Sequence, residues 1–575
     1  MDFYNCLYNL YYIFDSILCL YKHQWLQKQL YRRSENCSTM AAFLLLILVF
    51  LTHSQLGLNQ DVSYMKFVRN ASEFPEKEEY DYIIVGGGTT GCPLAATLSK
   101  NFSTLLIERG SEPSKYPSVL NEQELLNVFT VEDDGKNPFN RFISEDGVEN
   151  IRGRILGGTS MINGGVYSRA NPEFFKTQLG MQELDMEMVE KAYQWVEEAI
   201  VYKPSLNLWQ AAFRRFLVEG GVQPDNGFDL RDIVGTKISG SIFDENGIRH
   251  GAVELLNKAK PTNLKVAVQA TVQRILFSGL SARGVLYSDS KGKLHTAFIR
   301  EKGEIILSAG ALGSPQLLLL SGVGPKSYLS SLKLRVVLNQ PHVGQFMSDN
   351  PRFGIILALS FRLAFSSSKV IGISQNNSYY FQSIASTTPL SIPPLFSIFP
   401  PNSTSLTTTS LATIGGKFSK ISSFGSLHLN SSTDVKNNPI VRFNYYSHPD
   451  DLAKCVRGVR KVGDFLKTPT IENIKTRDLE GNKTLQFVGL PLPENLSDDT
   501  LVGEFCKKTV TSYWHYHGGC LVGKVVDSNY SVIGIKNLRV LDGSTFAVSP
   551  GSNPTATLMM LARYVGLRML QQRGV

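Results

Sequence analysis

Between Tyr80 and Gly110 the chain reads YDYIIVGGGTTGCPLAATLSKNFSTLLIERG, and no other stretch limits its fold so sharply. Tyr82 to Val85 are β-branched or aromatic and predict a short buried strand. Gly86, Gly87, Gly88, Thr89, Thr90 and Gly91 follow with the spacing G-x-G-x-x-G. Leu94 and Leu98 stand one helical turn apart around Ala95 and Ala96, and Thr104 to Ile107 predict a second strand that ends at Glu108. This is a βαβ unit with an acidic residue about 20 positions after the first glycine, the fingerprint of a dinucleotide site. Gly86 suits the tight turn, Gly88 lets a pyrophosphate approach the main chain, and Gly91 lets helix and strand pack closely. The helix N-terminus directs free N–H groups and positive dipole charge at the phosphates, and Glu108 can accept hydrogen bonds from ribose hydroxyls.

At 575 residues the chain has material for one large or two medium domains. Its net charge of +8 is modest for that length, and no Lys/Arg run follows Arg33, which argues against nucleic-acid binding. Ala41 to Leu51 is an apolar run of signal-peptide length, with Met40 directly before it and Arg32 and Arg33 upstream. We read residues 1–58 as an N-terminal extension and signal peptide, with Met40 the true start. A buried helix is the alternative for that run. A membrane anchor from Phe3 to Tyr21 is disfavoured by Asn5, Asn9 and Asp15, so no stable membrane insertion is expected. Eight Asn-x-Ser/Thr triplets follow Met40, at Asn70, Asn101, Asn376, Asn402, Asn430, Asn482, Asn495 and Asn529. They predict a glycoprotein of the secretory pathway, placed outside the cell, in the cell wall or in the vacuole. Of seven cysteines, Cys92, Cys455, Cys506 and Cys520 lie after Met40. Cys92 sits in the fingerprint helix and Cys520 beside a glycine-rich stretch, which leaves Cys455 and Cys506 as the disulfide pair, or else as two buried thiols.

Farther along, residues 152–170 (RGRILGGTSMINGGVYSRA) form a glycine-rich loop suited to close backbone approach, with Asn163 as a side-chain donor. Helices are predicted near 186–200 and 207–220. Strand patterns alternate with turns from Leu264 to Leu307 and suggest a second sheet element near the nucleotide. In GALGSPQLLLLSGVGP, Ser314 and Pro315 read as a helix start and Gly322 as its stop. The segment 360–435 is rich in Ser, Thr and Pro, and 345–505 reads as a mostly antiparallel sheet domain. The last part of the chain returns to the first pattern, with a strand in NLRVLDGS and a helix from Pro554 to Leu570.

The chemistry concentrates in TSYWHYHGGCLVG, residues 511–523. His515 and His517 alternate around Tyr516 and share a face on an extended chain. A metal pair lacks a companion carboxylate or thiolate cluster, so a general base is the better reading of a histidine here. Asn553 precedes Pro554 and is predicted to cap the last helix, whose positive end would stabilise developing negative charge.

Five ordered segments carry a resemblance to a known family: GGGTTG, RILGGTSMING, GALGSPQLLLLSGVG, VGQFMSDNP, and HYHGGCLVG with SNPTAT. Over about residues 75–572 the chain resembles the glucose–methanol–choline (GMC) flavoproteins, most of all the plant branch with (R)-mandelonitrile lyases and hydroxy-acid or alcohol dehydrogenases. The resemblance implies an α/β fold with an α+β second domain: a Rossmann-like FAD-binding domain and an antiparallel-sheet substrate domain. The FAD domain would comprise 75–344, with substrate-side segments at about 170–240, and 506–575, and the substrate domain 345–505. The implied cofactor is FAD, with Gly86, Gly88, Thr89, Thr90 and Gly91 at the pyrophosphate and Glu108 at the ribose. Gly158, Thr159 and Asn163 would lie along the flavin, Val272 near the adenine, and Asp542 and Gly543 at the phosphate and ribityl region, with Trp514, His515, Asn553 and Thr555 also in contact with the cofactor. His515 matches the family's active-site histidine and Asn553 its His-or-Asn partner. The lyases carry a second histidine at the Asn553 position and a substrate-domain cysteine, whereas no cysteine falls here between Cys92 and Cys455. The first reading is therefore an oxidoreductase acting on an alcohol CH–OH group, with His515 taking the hydroxyl proton and hydride passing to flavin N5. The alternative is a hydroxynitrile lyase that cleaves a cyanohydrin to aldehyde and HCN with non-redox FAD. A catalytically idle flavoprotein is a third reading, opposed by the intact His515 and Asn553. The expected partner is a small alcohol or cyanohydrin, and the expected state a monomer.

Overall fold

The computed structural model describes residues 63–126, 128, 131–171, 173–175, 184–375, 378–387, 410–477 and 483–575. The leader at 1–58 and the triplets at Asn376, Asn402 and Asn482 lie outside these residues.

The fingerprint strand Lys77–Val85 becomes fully apolar and buried from Tyr82 onward, as a strand covered on both faces must. It sits inside an eight-stranded sheet. Val68–Asn70, Leu264–Val268, Thr104–Ile107, Lys77–Val85 and Leu294–Leu307 run parallel in that spatial order. Ser281–Ser288 and Thr271–Ser278 continue the sheet antiparallel. The strands between 264 and 307 thus extend the nucleotide sheet, where the sequence pattern suggested a separate element. Residues 295–299 (HTAFI) and 304–307 (EIIL), two separate apolar stretches in the sequence, belong to the single strand Leu294–Leu307, which slips register between Ile299 and Glu304. Beyond the slip, Leu538–Val540 pairs in parallel with Ile305–Leu307, so the C-terminal part of the chain returns to this sheet. The helix Thr555–Gln572 packs on the fingerprint helix Gly91–Leu98, and a Cβ at Gly566 would come within 2.9 Å of Thr97 Cγ2.

The second sheet has nine strands and is largely antiparallel. Its path runs Gln486–Val488, Pro351–Leu359, Ser410–Phe418, Tyr379–Gln382, Val370–Ile373, Gly235–Ile238 and Asp225–Phe228. Its core face is closed by three helices: Leu208–Glu219, Pro449–Phe465 and Asp499–Lys508. The last two escaped the sheet reading of 345–505, although Cys455, Val459 and Val462 follow a helical period. Cys455 and Cys506 form a disulfide between those helices, with Cα atoms 6.3 Å apart, as expected. Cys92 and Cys520 are buried free thiols.

Two helix starts differ from expectation. The helix around Pro315 begins at Gly310 and carries the proline inside it. Ser314 does not cap it; its Oγ accepts from Ala309 N–H at 3.1 Å and donates to Asp542. The final helix begins at Thr555, and Asn553 gives it no cap because its side chain is engaged elsewhere. Among the described residues no helix is long and apolar enough to cross a membrane.

Candidate active site

A cavity of about 900 Å³ opens at the C-terminal end of the fingerprint strand and runs to the strands of the second sheet. Gly86, Gly88, Thr89, Thr90, Glu108, Gly158, Thr159, Asn163 and Val272 line it. So do Trp514, His515, Asp542, Gly543, Asn553 and Thr555. Gly91 does not. It is wedged at the strand–helix junction, where a Cβ would stand 1.9 Å from Gly86 O. Gly86 takes φ +105°, open to glycine at little cost, and a Cβ there would meet Ser308 O at 2.3 Å. At Gly88, by contrast, a Cβ would touch only Gly158 Cα at 3.6 Å, an ordinary contact.

Glu108 leaves the end of its strand to accept from Gly110 N–H at 2.8 Å and Gly87 N–H at 3.0 Å. Burial pushes its carboxyl above the usual range, against the pull of those hydrogen bonds. The glycine-rich loop is clamped by Arg249, which is 1% exposed. Its guanidinium donates to Ser160 O, Asn163 Oδ1 and Asn163 O at 3.0, 3.0 and 2.7 Å. Asn163 Nδ2 in turn donates to Thr555 Oγ1 at 3.2 Å, tying the loop to the last helix. Asp542 is spent on the protein itself: it accepts from Gly310 N–H at 2.9 Å and Ser544 N–H at 2.8 Å. Its carboxylate therefore shapes the wall, with both oxygens already accepting hydrogen bonds from the protein. Arg152 also lines the cavity, and its guanidinium meets the neutral oxygens of Asn140 and Asn438 at 2.9 and 2.8 Å.

At the other end, Asp349 organises the histidine segment. This buried carboxylate accepts from Ser512 Oγ and Tyr445 Oη, both at 2.6 Å, and from His515 N–H at 2.9 Å. Burial raises its pKa to about 6. Trp514 takes φ +58°, a costly conformation for a bulky residue and one that accumulates at functional sites. His515 Nε2 lies 3.3 Å from Asn553 Nδ2. Burial holds His515 well below its ordinary pKa, helped by the charges of Lys417, His517 and Arg352, so its ring is neutral at pH 7. His517 Nδ1 meets His515 O at 2.9 Å, and burial lowers its pKa to about 4. Both histidines line the cavity, and His515 Nδ1 and His517 Nε2 are buried without a partner. Lys417, 1% exposed on the second sheet, is lowered by burial to about 7. Among the described residues no group of three His, Cys, Asp or Glu side chains suits a metal ion.

Sequence reasoning passed over Arg249, Lys417, Gln382 and the carboxylate of Asp349. Asp349 had a signal, its place in VGQFMSDNP. Arg249 and Lys417 had none, because their role rests on burial that only the tertiary structure creates.

A parallel-sheet dinucleotide unit joined to an antiparallel sheet, with a histidine and an asparagine side by side between them, defines a flavoenzyme-type architecture. The comparisons narrow it. The two GMC oxidoreductase family models match residues 80–352 and 422–562, and the chain belongs to this family. It is 50% identical over 550 residues to (R)-mandelonitrile lyase 3 of Prunus serotina, covering 93% of this chain and 95% of that one. It is 49% identical over 523 residues to Sinalpyl alcohol oxidase Nec3 of Nesocodon mauritianus, covering 89% and 93%. Among solved structures it shares its fold with pyridoxine 4-oxidase from Mesorbium loti (TM-score 0.72, 20% identity, covering 85% of this chain and 99% of that one). The chain is an FAD-dependent enzyme, of the alcohol-oxidising or the cyanohydrin-cleaving kind.

Proposed function

We propose that this protein oxidises the CH–OH group of an alcohol, with His515 as general base and Asn553 as its partner. The observation that carries the reading is the His515 Nε2 to Asn553 Nδ2 pair at 3.3 Å on the cavity wall. An alcohol oxygen beside both groups accepts from the Asn553 amide and gives its proton to Nε2. A neutral histidine is the form that accepts a proton; burial keeps it neutral, and the cations that add to this, Lys417 and Arg352, also favour negative charge on the substrate oxygen.

The cavity fits FAD. At Gly88 the protein leaves open space where a side chain would stand, which suits a phosphate approaching the main chain. Arg152 offers a guanidinium with only neutral partners, and two buried imidazole nitrogens await a partner. We assign Gly86, Gly88, Thr89 and Thr90 to the pyrophosphate, Glu108 to the ribose and Val272 to the adenine. Gly158, Thr159, Asn163, Trp514, Gly543 and Thr555 would hold the flavin side. When bound, FAD supplies the hydride acceptor for alcohol oxidation.

Cyanohydrin cleavage is the second reading, favoured by the 50% identity to a mandelonitrile lyase. The same base would take the hydroxyl proton there. The imidazolium so formed would return that proton to the departing cyanide; the lyases the chain resembles carry a second histidine where Asn553 stands here, which places oxidation first. The test is His515→Ala, expected to cost about 10²–10⁴ in rate with FAD still bound. Full activity in that variant ends the assignment and makes His517 or Tyr513 the base.

We propose that the protein follows the secretory route. The disulfide supports this, as do Asn101, Asn430, Asn495 and Asn529, which stand exposed.

A further inference from the structure

Gln382 ends the strand Tyr379–Gln382 and reaches the cavity from the second sheet. Its Nε2 donates to Asn553 Oδ1 at 2.7 Å, and its Oε1 accepts from Tyr513 Oη at 3.2 Å. Arg352, on the strand Pro351–Leu359, lies with its guanidinium 4.8 Å from the centre of the Tyr513 ring. We infer that Tyr513, Gln382 and Asn553, with Arg352 stacked over the Tyr513 ring, form a hydrogen-bond relay of fixed direction whose function is to keep His515 Nε2 bare and its Nδ1 protonated. This rests on the reading of His515 as the base.

The direction follows from donor chemistry. An amide is symmetric enough to be turned over, so Gln382 and Asn553 alone could point either way. The Arg352 guanidinium over the Tyr513 ring draws electron density from the phenol and makes its O–H the better donor, so Tyr513 donates to its neighbour instead of accepting. Among the described residues the acceptor given to that O–H is Gln382 Oε1. The Gln382 amide nitrogen must then face Asn553 Oδ1, and the Asn553 amide nitrogen must face His515 Nε2. A nitrogen that accepts carries no proton, so the ring proton sits on Nδ1. The reverse chain would require Nε2–H, the tautomer that cannot take a proton from substrate. The other groups facing this imidazole are Lys417 from the strand Ser410–Phe418, His517, the Tyr513 ring at 5.2 Å, and Asp349 through the backbone. None supplies a side-chain partner that selects a tautomer. Gln382, Tyr513 and Arg352 are therefore positioning residues, two to four links back from the reacting atoms.

The test pairs spectroscopy with kinetics on the FAD-loaded full chain. Protein labelled with ¹⁵N-histidine reports the tautomer directly, and His515→Gln identifies the His515 signals. Wild type should show Nδ1–H and bare Nε2. Gln382→Glu places an acceptor-only group opposite Asn553, reverses the amide, and should move the proton to Nε2. Gln382→Met removes the orienting bond and should lower kcat/KM on sinapyl alcohol or mandelonitrile about 10-fold, mostly in kcat. In an Asn553→Ala background the same change should have no further effect, because the relay then ends before the histidine. If Gln382→Glu does not fold, the wild-type spectrum and the Gln382→Met cycle decide. Nε2–H in wild type overturns the inference, and so does an equal loss from Gln382→Met with and without Asn553. Failure of the base assignment shows separately, as retained activity in His515→Ala.

Discussion

Gly88→Ala and Gly91→Ala should separate a glycine required by the cofactor from one required by the fold. At Gly88 the added methyl meets only Gly158 Cα at 3.6 Å, and φ is not in the left-handed region. The apoprotein should lose nothing and gain about 0.4–1 kcal/mol from a stiffer unfolded chain. The methyl does, however, fill the space we assign to a phosphate. Each charge-assisted hydrogen bond lost there is worth about 1.5–3 kcal/mol. FAD affinity should fall about 10- to 100-fold for the first such bond. At Gly91 the methyl would lie 1.9 Å from Gly86 O, so the strand–helix turn must open. That overlap with backbone should cost upward of about 4 kcal/mol and remove both folding and flavin binding. The assay is FAD titration of flavin-stripped protein by flavin fluorescence, beside thermal unfolding of the apoproteins. Wild-type FAD affinity in Gly88→Ala would refute the phosphate assignment. Equal destabilisation by both substitutions would show that Gly88 serves the fold.

Replacing Cys455 and Cys506 together by alanine should destabilise the protein by about 4 kcal/mol in the chain-entropy model for a separation of 51 residues, read as a lower denaturant midpoint. His517 titrates at about 4 in the fold against its ordinary 6.5, so the unfolded chain binds the extra proton between those values. Stability should therefore rise with pH through that window and be lost on acidification, by up to about 3 kcal/mol, and His517→Gln should flatten the slope in urea unfolding measured across pH. Peptide mapping of protein from plant cells should find glycans at Asn101, Asn430, Asn495 and Asn529. Asn70 should be a poorer acceptor, because its side chain already caps a short turn and bonds Ser72 N–H at 3.0 Å.

The βαβ unit was legible because local chemistry dictates it: an apolar strand, a glycine turn that only small residues survive, and a helix of alanine and leucine. The histidine pair was legible as a cluster. Its electrostatics were not, since Lys417 and Asp349 lie far away in sequence and act only when buried beside it. Asn553 illustrates the limit well. Its position before Pro554 reads as a cap, yet tertiary partners at Gln382 and His515 outcompete the local hydrogen bond. The helix at Gly310 was misplaced for a related reason. A proline usually marks a first turn, but Asp542 holds the true start at Gly310 from across the fold.

Anaerobic mixing of the FAD-loaded protein with sinapyl alcohol, other alcohols and mandelonitrile, with flavin absorbance and free cyanide followed together, tests the central claim most directly. We expect an alcohol to bleach the flavin and mandelonitrile to release little cyanide. Cyanide released without bleaching, from a protein that no alcohol reduces, would contradict the account and make the protein a lyase.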